Sequence, residues 1–416
     1  MAKEIFELIR GNVMIGQSGG PTSVINASLV GIFKTARDEG CKTVYGMRNG
    51  IEGLLSERYV DMSDYIKSDL DIELLKRTPS SFLGTCRYKL PSAEKSPELY
   101  GRIFEILKRL DVQYFFYIGG NDSMDTVMQL SEFARRVGSD IRFMGVPKTI
   151  DNDLAMTDHT PGYGSASKYI ATAMKEIIRD AKTYPNDSVT VVEVMGRNAG
   201  WLTASTALSR SEDCTGPDLI YLPERIFDYS SFLERISEAK RKGNAVVVSV
   251  SEGIKTADGK YVCEANKKSS ITDSFGHKLL GGTALYLSDF LSENLGIKTR
   301  GIVLSTLQRC ASHLVSRRDI TEAFMAGADA AVSAFKGETG KMIVFNRISN
   351  SPYSIVTDII DIRNVANKEK CVPNEWIIND GTYVSGEFEA YARPLIIGEL
   401  SPFMVDGLPR HLFIDK

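Results

Sequence analysis

The chain has 416 residues, with 50 Lys+Arg against 53 Asp+Glu and a formal charge of −3. It exceeds the ~250–300 residues at which a single hydrophobic core stops growing, so two domains are expected. The near-zero balance leaves no basic excess for a nucleic-acid backbone, and no apolar string approaches the ~20 residues of a membrane span, so neither partner is expected.

At the start, MAKEIFELIR carries Lys3, Glu4 and Glu7, which reads as neither leader nor anchor. Residues 12–16 (NVMIG) read as a buried strand, followed by a turn at Ser18, Gly19 and Gly20 and a helix to about Ala36. Next, Leu99, Ile103, Ile106, Leu107 and Leu110 share one helical face. A strand at 112–118 (VQYFFYI) leads through Gly119 and Gly120 into a helix carrying Met124, Val127, Met128, Phe133 and Val137 on its inner side, and 141–146 returns as a strand. The second half predicts strands at 189–194, 218–222, 245–250 and 301–305, and helices at 164–182, 199–209, 228–242 and 316–335. The polar stretch 255–270 reads as an exposed loop, and the tail beyond about 340 has no readable period. Strands spaced by helices of this length require parallel pairing with helical crossovers. The expected fold is α/β: two Rossmann-like domains, mainly parallel sheets, helices on both faces. The six cysteines (41, 86, 214, 263, 310, 371) form no CxxC pair, the pattern of reduced thiols in a cytoplasmic chain. The four histidines take no functional role.

Ligands of open α/β sheets gather at the carboxyl ends of strands. Four loaded segments follow strands: SGG (18–20), GGNDS (119–123), PKTIDND (147–153) and MGR (195–197), expected on the same side of one sheet. Paired glycines let backbone N–H groups approach a phosphate at a helix N-terminus, although a glycine pair is equally a tight turn. In PKTIDND, Asp151 and Asp153 project to one side of an extended segment. One could accept a hydroxyl proton while the other helps hold Mg²⁺; Lys148 supplies a cation and Thr149 a hydroxyl. On residue types alone, a polar loop with a helix cap explains the string equally well. Arg197, Glu252, Arg300 and Arg309 stand near strand ends, where arginine can clamp phosphate.

In this order, SGG, FLGTCR (82–87), IGGNDS (118–123), PKTIDND, EVMGRNAGW (193–201), SEG (251–253) and LQR (307–309) resemble the phosphofructokinase A family, from about Val13 to Gly327. The resemblance implies phosphoryl transfer to the 1-hydroxyl of fructose 6-phosphate, with Mg²⁺, in a cleft between two domains. Residues 1–160 with part of 308–360 would form the donor and metal domain. Residues 161–307 with part of the tail would form the sugar-phosphate domain. Two positions are similar to the pyrophosphate-dependent branch. Asp122 stands where ATP-dependent members have glycine, and would repel a nucleotide's α-phosphate by charge and volume. Lys148 stands where bacterial ATP enzymes also have glycine. Ile51 lies near where those enzymes supply a tyrosine to the nucleotide.

The resemblance assigns Asp151 as base, with Lys148 and Thr149 as its catalytic companions. Gly19, Gly20, Asp122 and Lys148 would surround pyrophosphate. Thr149, Ile150, Asp151, Met195, Gly196, Arg197, Glu252 and Arg309 would hold the sugar phosphate, and Arg300 would reach it from a neighbouring subunit, so a homodimer or homotetramer is implied. Asn121 and Asp153 would hold the metal, with Asn121 replacing a frequent aspartate. Other departures are GGPTSVIN in the first turn, Ser188 for a second cross-subunit arginine, Thr306 for a histidine, and Val30 for an effector-site arginine. The tail has no close counterpart in the short bacterial enzymes.

Overall fold

The computed structural model describes residues 11–265 and 280–414. The N-terminal decapeptide and positions 266–270 of the expected exposed loop lie outside the described residues. Chain order gives β1 (Asn12–Gln17), α1 (Ile25–Asp38), β2 (Val44–Met47), α2 (Gly50–Leu55), β3 (Tyr59–Asp61), α3 (Asp69–Arg77), α4 (Pro97–Arg109), β4 (Val112–Gly119), α5 (Asn121–Val137) and β5 (Arg142–Pro147). A second series follows: α6 (Tyr163–Ala181), β6 (Ser188–Val194), α7 (Trp201–Ala204), β7 (Leu219–Tyr221), α8 (Tyr229–Lys240), β8 (Ala245–Ser251), α9 (Thr283–Leu295) and β9 (Lys298–Val303). Then come α10 (Leu307–Cys310), α11 (Arg317–Phe335), and the strands β10 (Lys341–Asn350) and β11 (Tyr353–Asp361).

The first sheet has the order β11-β10-β5-β4-β1-β2-β3. It is parallel from β10 through β2 and antiparallel at both edges. The second sheet, β7-β8-β6-β9, is wholly parallel. Central strands such as β1 and β8 are buried along their whole length, because helices cover both faces of the sheets. Across the first sheet, α1 and α11 touch through glycines: a Cβ at Gly327 would fall 2.0 Å from the Ser28 carbonyl oxygen. That contact fixes the close approach of the two helices on one face.

Four expectations need correction. Val137 does not face inward: it is the last residue of α5, before the left-handed turn at Gly138, and it is exposed. The helix at 199–209 is α-helical only over Trp201–Ala204 and tightens to a 3₁₀ helix over Ser205–Ser209. There the hydroxyls of Ser205, Thr206 and Ser209 donate to carbonyls three residues back, which suits the tighter winding. The last strand of the second sheet runs Lys298–Val303 rather than 301–305; it is an edge strand with polar residues in its first half, and it ends before Ser305, at φ +51°. The described part of the 255–270 stretch is not simply exposed, since Val262 and Cys263 are buried in a 3₁₀ turn.

Candidate active site

A cleft of about 610 Å³ opens where the carboxyl ends of the two sheets meet. The loaded segments do not leave one sheet, as the sequence suggested. Gly19–Gly20, Asn121–Asp122 and Lys148–Asp153 follow β1, β4 and β5 of the first sheet, while Met195–Arg197 and Glu252 follow β6 and β8 of the second. They converge because the parallel strands of both sheets end at the same cleft. On the first sheet this is the β4/β1 switch point, where successive connections diverge to opposite sides.

One wall of the cleft is built on two turns and a buried lysine. Gly19 has φ +76°, a conformation that side chains resist. A Cβ at Gly19 would lie 3.4 Å from Lys148 Nζ, and one at Gly20 would lie 3.5 Å from an Arg309 terminal nitrogen. Lys148 Nζ donates to the Gly20 carbonyl at 2.6 Å, so the PKTIDND segment is tied to the first glycine turn. Lys148 is 2% exposed, and burial pushes its pKa down to about 8 against the opposing pull of Asp151 and Asp153. The N-terminus of α5, with Asn121 and Asp122 in its first turn, supplies the facing wall.

Asp151 sits deep in the cleft. Burial raises its pKa, opposed by the charges of Lys148, Arg197 and Arg309. Its backbone N–H donates to Thr149 Oγ1 at 3.1 Å, which folds the loop so that both residues face inward. Burial and the charge of Asp151 push Asp153 up to about 7, and the same two causes push Glu252 to about 7.

On the opposite wall, Glu252 accepts from the Gly196 N–H at 3.3 Å, Ser251 Oγ donates to the Gly196 carbonyl at 2.5 Å, and Met195 N–H donates to Gln308 Oε1 at 3.0 Å. These bonds bind the MGR, SEG and LQR segments together. Gly196 at φ +130° and Gly253, whose Cβ would fall 1.9 Å from the Arg197 carbonyl oxygen, make the packing possible.

Five cations (Arg87, Lys89, Lys148, Arg197, Arg309) and five carboxylates (Asp122, Asp151, Asp153, Glu252, Glu369) line the cleft. With the charges balanced, a polyanionic ligand would have to bring counter-cations. Asn121 Oδ1 is a buried acceptor with no hydrogen-bond partner, and Asp153 lies in the same cleft. Among the described residues no three His, Cys, Asp or Glu side chains group to hold an ion alone. That donor set fits Mg²⁺, which takes one or two protein oxygens and completes its shell with water and phosphate.

The structure brings the sequence-predicted site residues together with two exceptions: Gly196 is buried behind the cleft lining, bonded to Glu252, and Arg300 stands on edge strand β9 and pairs with Asp180 at 3.1 Å. Sequence reasoning gave no role to Arg87, Lys89, Asn198, Asn367 or Glu369, which also line the cleft. Arg87 closes FLGTCR and Asn198 follows MGR, so a signal existed for both. Asn367 and Glu369 lie in the tail, where no periodicity marks them.

Carboxylates, a hydroxyl and several cations thus line one cleft where two mainly parallel sheets meet. By class this is a phosphotransferase scaffold. The chain belongs to the phosphofructokinase family: the model described as Phosphofructokinase matches residues 12–332. The pyrophosphate--fructose 6-phosphate 1-phosphotransferase of Halomonas elongata is 39% identical over 403 residues, covering 96% of this chain and 95% of its own. The crystal structure of the pyrophosphate-dependent phosphofructokinase from Nitrosospira multiformis superposes with a TM-score of 0.87 at 36% identity, over 96% of this chain and 95% of its own. A relative with a different name, the sulfofructose kinase of Alkalicoccus urumqiensis, is 32% identical over 88% of this chain and 91% of its own.

Proposed function

We propose that this chain transfers a phosphoryl group from pyrophosphate to the 1-hydroxyl of fructose 6-phosphate, reversibly. Asp151 takes the hydroxyl proton, the sugar oxygen bonds to phosphorus, and the bridging P–O bond breaks to release phosphate. Gly19, Gly20, Asp122 and Lys148 surround the donor, and the Lys148 ammonium offsets charge on the transferring group. Thr149, Ile150, Met195, Gly196, Arg197, Glu252 and Arg309 hold the sugar phosphate. Asn121 and Asp153 would hold Mg²⁺, which when bound would neutralise part of the donor's negative charge. Residues 1–160 with part of 308–360 form the donor unit, and residues 161–307 with part of the tail form the acceptor unit.

The observation that carries donor choice is the pair Asp122 and Lys148 on the donor wall of the cleft. A carboxylate at the start of α5 crowds and repels the α-phosphate of a nucleotide, while the buried ammonium suits a bare diphosphate. A coupled assay comparing pyrophosphate with ATP, each with fructose 6-phosphate and with sulfofructose, tests the reading. Turnover is expected with pyrophosphate and fructose 6-phosphate and almost none with ATP; equal turnover with both donors overturns it. The double substitution Asp122→Gly, Lys148→Gly should lower pyrophosphate use, and unchanged donor choice would remove these positions from the account.

The protein acts as a homodimer or homotetramer, with Arg300 gripping the 6-phosphate in a neighbouring copy. A cytoplasmic placement accords with six cysteines scattered along the sequence without a CxxC pair. No helix of the described residues is long and apolar enough to cross a membrane.

A further inference from the structure

The family match ends at residue 332, yet the segment carrying Asp151 and Asp153 is held by groups beyond that point. Asn152, between the two carboxylates, is fully buried and adopts φ +55°. A non-glycine residue keeps a left-handed conformation only where its surroundings support it. Here Asn152 Nδ2 donates to the Tyr391 hydroxyl at 2.8 Å, and Asn152 Oδ1 accepts from the Thr160 N–H at 3.1 Å. The Tyr391 hydroxyl in turn donates to the Asp158 carbonyl at 2.7 Å. One phenol therefore bridges the outgoing and returning arms of the loop. Arg347 holds that phenol's residue from behind, donating to the Tyr391 carbonyl at 2.8 Å.

Lys370 grips the same loop from a second direction. Its N–H donates to the Asp153 carbonyl at 2.8 Å, and its ammonium donates to the carbonyls of Thr157 at 3.0 Å and Asp158 at 2.7 Å. The ammonium also lies 5.2 Å from the centre of the Trp201 ring, whose Nε1 donates to the Lys370 carbonyl at 2.8 Å. A buried cation is costly unless its donors are satisfied. This one is satisfied by the carbonyls of the returning arm, a role a neutral side chain of similar length cannot fill.

We propose that Tyr391 and Lys370 are positioning residues for the reaction: they fix Asn152 in its left-handed pose and so set where Asp151 and Asp153 project. The inference rests on the reading of Asp151 as base. The arginines that would grip the phosphates come from other segments, and Lys148 is tied separately to Gly20, so loosening the loop at Asn152 reduces turnover far more than affinity.

The full-length Tyr391→Phe variant removes one oxygen at nearly constant volume. Its kcat should fall about tenfold while KM for each substrate stays within about twofold, the pattern of misplaced reacting groups. Lys370→Met should lose at least as much, and Lys370→Arg should recover part of the loss. Tm and circular dichroism, measured on the same samples, separate placement from folding. The kcat ratios are taken with whichever donor the wild type uses, so a wrong donor assignment is seen in the wild type alone. Wild-type kcat in folded Tyr391→Phe, or a loss confined to KM, overturns the proposal.

Discussion

At the scale of single residues, Lys148 is the most constrained group in the cleft. Its ammonium is buried against a carbonyl and two carboxylates, and its pKa sits near 8. Above that value it loses the charge that attracts the donor, so kcat/KM for pyrophosphate should fall as pH rises through about 8. The bound donor's negative charge raises the pKa in the complex, so the corresponding limb of kcat should lie at higher pH. Lys148→Arg, charged throughout this range, should move the kcat/KM limb upward; an unmoved limb assigns it to another group. Asp151→Asn tests the base. Turnover should drop by about 10²-fold or more, the scale of general-base catalysis, with sugar phosphate binding by calorimetry retained. These residues were legible in the sequence because PKTIDND concentrates them in one extended run. Glu369 was not, because it reaches the cleft only through folding: Asn198 Nδ2 donates to it at 2.9 Å from 171 residues away.

Among the elements, the acceptor wall depends on three loops packed without slack. Gly253→Ala would drive a methyl into the Arg197 carbonyl oxygen. KM for fructose 6-phosphate should rise while the protein stays folded; an unchanged KM would show that the MGR turn adjusts without cost. Farther along the PKTIDND loop, His159 lies between Asp158 Oδ1 and Glu322 Oε2, each at 2.8 Å. Burial opposes its charged form, but the two carboxylates outweigh burial and raise its pKa above 6.5. The stabilisation is complete below the unfolded value of about 6.5 and is lost as pH rises through the higher folded value. Tm should therefore decline on the alkaline side, and His159→Gln should flatten that decline in thermal melts. The strand-turn-helix units were readable because apolar runs and glycine pairs punctuate them. The tail was not: β10 alternates half-buried and exposed positions only in its outer half, and residues 365–373 form no regular element. What that segment does depends on partners more than 200 residues distant, such as Asp153 and Thr157.

Taken as a whole, the molecule spreads one site over distant parts of the chain, and the proposed assembly spreads it over two copies. Arg300 stands on an edge strand outside its own cleft. If it serves a neighbour, Arg300→Ala and Asp151→Asn proteins, each nearly inactive, should regain turnover when unfolded and refolded together, since a hybrid contains one intact site. No recovery over either parent would place Arg300 outside the reaction. The sequence could show which strands carry chemistry, but not which sheet each strand joins. That depends on β10 and β11 returning to β5 after the whole second sheet has been laid down. During translation, then, Asp151 and Asp153 emerge long before the residues that brace them. A ribosome-bound chain stalled short of position 391 would expose both carboxylates yet lack the phenol that aims them, so full turnover should appear only after that position has emerged.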